Sequence, residues 1–309
     1  LQLYFLLGYD KINNKNFFSM NGFLALNKPK HFTSFDVIAY LRKKFQIRKI
    51  GHSGTLDPLA TGVMLVAVGN ATKFLEFMVQ HNKTYEATLR FLYTSKTYDA
   101  EGPVTQVSNT PPTKEELLNI LPEFTGKILQ IPPQYSAIKI QGKKACNLIR
   151  KGQEIDMSQK QRSVCIYENT LLSFSENEAK IRVSCSSGTY IRTLAHDIGQ
   201  KLGCGAYLSD LVRTQIEDIP LSQCVSLEDA DFHHFFSPRN ILPFPEYEVN
   251  TKEYEDLAHG KSITPSHSFS QNYISIVKDN IFYGVAFYNE TYNKLQAKKI
   301  IPPNLPLLP

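Results

Sequence analysis

The sequence predicts an α+β protein with a mainly antiparallel mixed sheet, flanking helices and a small β-rich C-terminal module. Two observations carry that expectation. Tyr85, Ala87, Leu89 and Phe91 alternate with polar residues, as do Ile181, Val183 and Cys185, the period-two mark of strands with one buried face. Helical patterns fall between such runs at irregular intervals, without the steady strand-helix-strand rhythm of a parallel sheet.

Taken in order, Phe23 to Leu26 reads as a strand ending in a Lys28-Pro29 turn. Thr33 or Ser34 can cap a helix whose Phe35, Ile38, Leu41 and Phe45 recur at helical spacing. From Gly51 to Ala60 runs a polar loop in which Gly51 and Gly54 permit tight turns and Pro58 biases Asp57 away from the helical region. Val63 to Val68 then reads as a buried strand, and Thr72 to Val79 as a short helix. Thr113 with Glu116 forms a capping box for a helix through Leu121. A helix from about Thr189 to Leu202 carries Ile191, Leu194, Ala195, Ile198 and Leu202 on one stripe and stops at Gly203. Ala206 to Ile216 reads as another strand, and Pro238, Pro243 and Pro245 as a linker. Beyond it come Leu257 to Lys261 and a strand-like Ile281 to Tyr288.

The chain has 309 residues, enough for one large domain and one small one, with 20% charged and 42% apolar residues. That composition excludes a disordered protein. The formal charge of +5 is a mild excess, but its distribution is uneven. Arg42, Lys43, Lys44, Arg48 and Lys49 precede the Gly51 loop, and Lys139, Lys143, Lys144, Arg150 and Lys151 form a second cluster. Together they favour a polyanionic partner. The five cysteines show no Cys-x-x-Cys spacing and read as reduced thiols of an intracellular protein; His233-His234 reads as surface, and no metal site is expected. The apolar run Leu3 to Leu7 is too short for a signal peptide or a membrane span. Leu1 to Ser19, ahead of Met20, is read as a dispensable extension or a misplaced start.

A lone carboxylate in a loop bounded by glycine and proline, leading into a core strand, is placed where a catalytic side chain can be held still. Arg192 lies about 100° from Ile191 around its helix, half sheltered at the rim of the buried stripe, where it needs an anionic partner or packs over the core. Tyr85 belongs to the buried face of its strand.

Several segments in matching order resemble the TruB-type tRNA pseudouridine synthases: Gly22 to Pro29, Gly51-His52, Leu56 to Gly62, Lys83-Thr84-Tyr85, Asp99 to Gly102, Pro132 to Lys139 and Gly188 to Thr193. The similarity spans roughly residues 21 to 230. It implies the pseudouridine synthase fold, divided into an N-terminal extension 1–20, a catalytic domain 21–235 with an RNA-gripping thumb at about 132–152, and a short PUA-like RNA-binding module 249–302. It also implies isomerisation of a uridine, uridine 55 in the T-loop of tRNA, by a cytoplasmic, monomeric enzyme that needs no cofactor, metal, membrane or obligate protein partner. Asp57 matches the catalytic carboxylate, Arg192 its ion-pair partner, and Tyr85 a stacking and acid-base group. His52 matches a base-flipping aid and Asp99 a residue that contacts the rearranged nucleotide. Tyr135, Lys139, Lys143 and Lys144 match RNA contacts of the thumb, Leu211 and Arg213 match a segment at the pocket wall, and Lys28, beside the site, is placed among the RNA-binding residues. Ser95-Lys96-Thr97 departs from the family's Thr-Asp-Thr, and Cys146 to Ile149 lacks its aromatic residues, which reduces the stacking expected there. The rival readings are an RNA-binding or RNA-folding protein on the same scaffold, a guide-dependent relative acting on ribosomal RNA, and a sugar hydrolase, which would need a second catalytic acid.

Overall fold

The chain enters as strand β1 (Gly22–Lys28), passes through helix α1 (Ser34–Phe45) and returns by a short β2 (Ile50–His52) into β3 (Thr61–Val68). Strands β1 and β3 pair antiparallel along their whole length, with Gly22 opposite Val68 and Lys28 opposite Gly62. Their side chains alternate between two covers. Phe23, Ala25, Val63, Leu65 and Ala67 pack with Phe282 and Val285 from the C-terminal part of the chain, whereas Leu24, Leu26, Met64, Val66 and Val68 pack with α1. A strand buried on both faces reads as an unbroken apolar run, which is why Val63 to Val68 shows no alternation. The computed structural model describes residues 21–136, 138–140, 142–149, 152–153 and 155–302. The expected extension Leu1 to Ser19 lies outside the described residues, as do Arg150, Lys151 and the side chains of Lys139, Lys143 and Lys144.

Thr33 is the N-cap of α1: its hydroxyl accepts from the Asp36 N–H, and the Asp36 carboxylate accepts from the Thr33 N–H at 2.9 Å. The buried stripe is Ser34, Val37, Ile38, Leu41 and Phe45. Phe35, expected on that stripe, stands 67% exposed. The helix is rotated so that the Ser34 hydroxyl turns inward to the Leu56 backbone, accepting from its N–H at 2.8 Å and donating to its carbonyl at 3.0 Å.

The single helix expected over Thr72 to Val79 is divided: 3₁₀ turns cover Gly69–Phe74 and one α turn, α2 (Leu75–Met78), follows. Strand β4 (Lys83–Phe91) buries every second side chain as its alternation predicts. After the small hairpin of β5 (Tyr93–Ser95) and β6 (Val104–Gln106), α3 (Lys114–Ile120) starts at the Thr113–Glu116 capping box. Then come β7 (Gly126–Gln130), a two-stranded ribbon β8 (Lys139–Ile140) with β9 (Lys143–Lys144), and α4 (Ala145–Ile149). The long β10 (Arg162–Ser175) escaped the sequence reading, because two register irregularities against β11 (Glu178–Cys185) break its alternation. Helix α5 (Ile191–Lys201) runs to Gly203 at φ +74°, and β12 (Ala206–Ile216) and β13 (Ile219–Pro220) complete the sheet.

Among the described residues the sheet has nine strands, ordered β1-β3-β12-β4-β11-β10-β7 with β2 beside β3 and β13 beside β12. Only the β3–β12 contact is parallel, so the sheet is mainly antiparallel as expected. The Pro-rich stretch is strapped to it: Phe236 forms a bridge with Phe23, and Leu242 and Phe244 join the apolar cluster under β1. The chain continues as β14 (Glu246–Glu248), α6 (Thr251–Ala258), β15 (Tyr273–Lys278), β16 (Ile281–Asn289) and β17 (Lys294–Ile300), whose strands form a second sheet in the order β14-β15-β16-β17. No helix among the described residues is long and apolar enough to cross a membrane.

Where β3 meets β12, Gly62 has φ +103°, and a Cβ there would lie 2.2 Å from the Arg213 carbonyl oxygen. Both the left-handed backbone and the close approach require glycine. Gly62→Ala is expected to lower unfolding stability by about 2 kcal/mol or more, read from the urea midpoint.

Candidate active site

Several pieces of the fold converge on one cavity of about 880 Å³, among them the Ser53–Pro58 loop, the start of β4 at Lys83 and Tyr85, Thr97 to Glu101, Tyr135-Ser136, the start of β10 at Arg162 to Val164, and the segment from Ser186 into α5. Leu211 and Arg213 of β12 form part of its wall. Each piece is an element end or the connection beside one, so rigid backbone sets the position of each side chain.

The loop carrying Asp57 is fastened from several directions. Ser34 holds Leu56, as described above. The His31 N–H donates to the Pro58 carbonyl at 2.8 Å, the Ser53 N–H to Leu65 at 3.0 Å, and the Ala60 N–H to Asp57 itself at 3.0 Å. Arg213 grips the rest: its Nε donates to the Val63 carbonyl at 2.6 Å, and its Nη2 and Nη1 to Gly54 and Thr55 at 3.3 and 3.5 Å. Gly51 and Gly54, expected to supply unusual turns, do not have positive φ; the demand for glycine falls on Gly62.

Arg192 comes from the first turn of α5 and is almost fully enclosed, 7% exposed at its side chain, where the sequence reading had it half sheltered. Its Nε lies 2.9 Å from Asp57 Oδ2 and its Nη1 3.4 Å from Asp99 Oδ2. The Nε–H does not align for a hydrogen bond, but Nη2 donates to the other Asp57 oxygen, Oδ1, at 3.5 Å, so the pairing combines a close charge contact with one long directed bond. The remaining donors are directed: Nη1 to the Thr97 carbonyl at 3.0 Å and Nη2 to the Tyr135 carbonyl at 3.1 Å. The two carboxylates differ sharply in access. Asp99 is 2% exposed and also accepts from the Thr97 hydroxyl at 2.6 Å and the Glu101 N–H at 3.0 Å, while Asp57 is 35% exposed and faces the cavity. The buried acid therefore anchors the arginine, and the accessible one shares it.

Tyr85 is buried with an edge at the cavity, close to the Arg213 charge. Burial is the main force raising its phenol above the ordinary value, so it stays protonated at neutral pH. His52, at the end of β2, is pushed below the usual imidazole value by burial and by the Arg213 charge, so it is neutral there too. His196 lies flat on Tyr98, ring centroids 3.9 Å apart, away from the acid pair. Lys28 requires a correction. Placed among RNA contacts on the sequence, it is fully enclosed behind the loop, its Nζ donating to the Phe32 and Pro29 carbonyls at 2.6 and 2.9 Å.

Arg213 carries more of the site than its sequence position suggested. An arginine on a strand resembles a solvent-facing residue, and only its place opposite Gly62 in the pairing turns it inward. No group of three or more His, Cys, Asp or Glu side chains suited to a metal ion occurs among the described residues.

A mixed sheet that delivers one accessible carboxylate and a buried arginine to a deep cavity is the architecture of a pseudouridine synthase. The structure of a Cbf5-Nop10-Gar1 complex has the same fold, with TM-score 0.69 and 21% identity over 92% of this chain and 86% of that one. An H/ACA RNP bound to a substrate RNA containing 2′-deoxyuridine matches with TM-score 0.68 and 20% identity over 91% of this chain and 85% of that chain. The sequence decides the family. The TruB family pseudouridylate synthase N-terminal domain matches residues 42–191, and the tRNA pseudouridylate synthase B C-terminal domain matches 192–235. The tRNA pseudouridine synthase B of Aquifex aeolicus is 38% identical over 86% of this chain and 95% of its own. That of Francisella tularensis is 43% identical over 79% and 83% respectively. The chain belongs to the TruB family of pseudouridine synthases, which are isomerases.

Burial holds Lys28 down at about 8 from 10.5, although Asp57 and Glu101 oppose the shift. Between those values the folded protein releases a proton that the unfolded chain keeps, so this site's contribution to stability rises with pH across the window. Lys83, also held near 8 mainly by burial, acts in the same sense. Lys28→Met is expected to flatten the rise in urea midpoint between about pH 8 and 10.5 without abolishing it, measured against wild type in matched buffers.

Proposed function

We infer that this protein isomerises a uridine of tRNA, uridine 55 in the T-loop, to pseudouridine. The observation that carries the reading is Asp57: a carboxylate exposed to a cavity with ample room for a nucleoside, on a loop that cannot relax away, with an arginine 2.9 Å behind it. Family membership supplies the substrate class.

The reaction breaks the bond from N1 of uracil to C1′ of the ribose and forms one from C5 to C1′; C5 loses a proton and N1 gains one. The overall change is therefore an isomerisation. A base inside a folded RNA must leave its stack to reach the acid. Asp57 is the reacting carboxylate, and Arg192 pairs with it and orients it. The Tyr85 ring supplies a flat face for the uracil. Its raised pKa favours packing and hydrogen bonding over service as a base. Neutral His52, beside the loop, is suited to occupying the space the extruded base leaves. Asp99 acts through Arg192, and Leu211 shapes the wall. Tyr135, with Lys139, Lys143 and Lys144 of the β8–β9 ribbon and α4 beyond, serves as the gripping element for RNA. Residues 249–302 are read as a PUA-like RNA-binding module.

We read the enzyme as a cytoplasmic monomer without an obligate protein partner.

Asp57→Asn is expected to abolish product while changing tRNA affinity less than about threefold, the residue being small against the RNA-binding surface. Pseudouridine-specific chemical labelling and filter binding read the two quantities; turnover in that variant would remove Asp57 from its role. Arg213→Met, which frees one end of the loop, is expected to lower kcat about 100-fold with tRNA affinity retained. Arg213→Lys should recover part of the loss, since an ammonium can still reach one of the loop carbonyls.

A further inference from the structure

Three lysines from separate parts of the chain meet on one surface that the site above does not use. Lys49 leads into β2, Lys73 sits in the 3₁₀ turns Gly69–Phe74, and Lys299 lies on β17. Rigid structure joins them. The Gly69 N–H donates to the Lys49 carbonyl at 2.8 Å, tying the first two segments together. Phe74, next to Lys73, meets Phe282 of β16 edge-on at 5.1 Å, and Val285 of that strand pairs with Lys299. The ammonium groups have few partners at hand: Lys299 lies 3.2 Å from Glu76, and Lys49 3.5 Å from the Asn70 side chain. Lys73 is held below its ordinary value by burial and then by repulsion from both Lys49 and Lys299. Arg48 and Lys298 adjoin the trio in sequence and are exposed.

Like charges fixed close together on a rigid surface oppose folding, and a polyanion relieves that opposition by neutralising them. Lysine suits phosphate as a point charge on a flexible stem. The position fits as well. Lys49 stands four residues before Ser53, which lines the cavity, about 13 Å away along an extended chain. We propose that the seam formed by Lys49, Lys73 and Lys299 binds the phosphate backbone of the RNA duplex that continues from the loop seated in the cavity. The proposal rests on the tRNA reading above and adds a second contact, bridging the catalytic sheet and the C-terminal sheet.

The test compares wild type, the triple variant Lys49→Gln/Lys73→Gln/Lys299→Gln, and Glu76→Gln. The RNAs are unmodified tRNA and a hairpin holding only the T-loop and a short stem. For tRNA, the triple variant should bind at least about tenfold more weakly at low salt, and its slope of log affinity against log salt should be shallower by about two to three. Its kcat at saturating tRNA should stay within about twofold of wild type, and the hairpin, whose stem is the duplex nearest the cavity, should also bind more weakly. Glu76→Gln should bind tRNA more tightly, a change that partial unfolding could not produce. Unchanged affinity and salt slope in the triple variant, with wild type forming pseudouridine normally, would overturn the seam alone. A seam-dependent slope in a protein that makes no pseudouridine would uphold the seam and remove the functional reading.

Discussion

One guanidinium between two carboxylates of unequal exposure governs the site. A buried arginine without an acid is costly, and a buried acid without a cation equally so; paired and hydrogen-bonded, each can be retained. Asp99 meets that need for Arg192 from within, and the Thr97 and Tyr135 carbonyls fix the plane of the guanidinium. What is left over is directed at Asp57, which keeps a third of its surface open. The protein thereby holds an acid paired and oriented without enclosing it. Arg192 meets that acid by a charge contact at Oδ2 and one long hydrogen bond at Oδ1.

Arg213 solves a related problem with a different device. It grips carbonyls where Arg192 grips carboxylates, and carbonyls do not cancel its charge. The uncancelled charge is felt nearby: it opposes protonation of His52 and further lowers Lys28 and Lys83. The loop is therefore set between a cation that holds its side chain and a cation that holds its backbone. Its attachment to α1 through Ser34 and to β3 through Ser53 completes the enclosure.

Much of this frame was legible in the chain because its signals are local. The Thr113–Glu116 box, the alternation along β4 and the stop at Gly203 each depend on a few neighbouring residues, and each occurs as read. Of the stripe read on α1, Ile38, Leu41 and Phe45 are buried, and Phe35 alone stands outside it, where Ser34 turns inward to Leu56 in a long-range contact that no local pattern records. Strand β10 was hidden by its irregular register, which no local pattern records. The acid pair is a harder case: Asp57 and Arg192 are 135 residues apart, and nothing in their spacing joins them. Their meeting was anticipated only from the family resemblance. Arg213 lay in view as part of a matched segment, yet its inward direction depends on a pairing with Gly62 that only the sheet reveals.

The same sheet explains how a small chemical site can choose a large substrate. A cavity that accepts one flipped nucleoside has few atoms with which to distinguish one uridine from another, so selection must come from the RNA around it. That calls for contacts held at a fixed distance from the acid, and strand β2 provides the ruler: one end lies beside the Asp57 loop, the other carries Lys49 into the basic surface shared with Lys73 and Lys299. Because β2 is paired to β3 over Ile50 to His52, neither end can move without the other. Duplex geometry fixes the distance from a loop nucleotide to the phosphates of its stem, so an RNA of the wrong shape can satisfy the cavity or the lysines, but not both. Recognition of shape at the seam and chemistry at the acid are in this way coupled through one short strand.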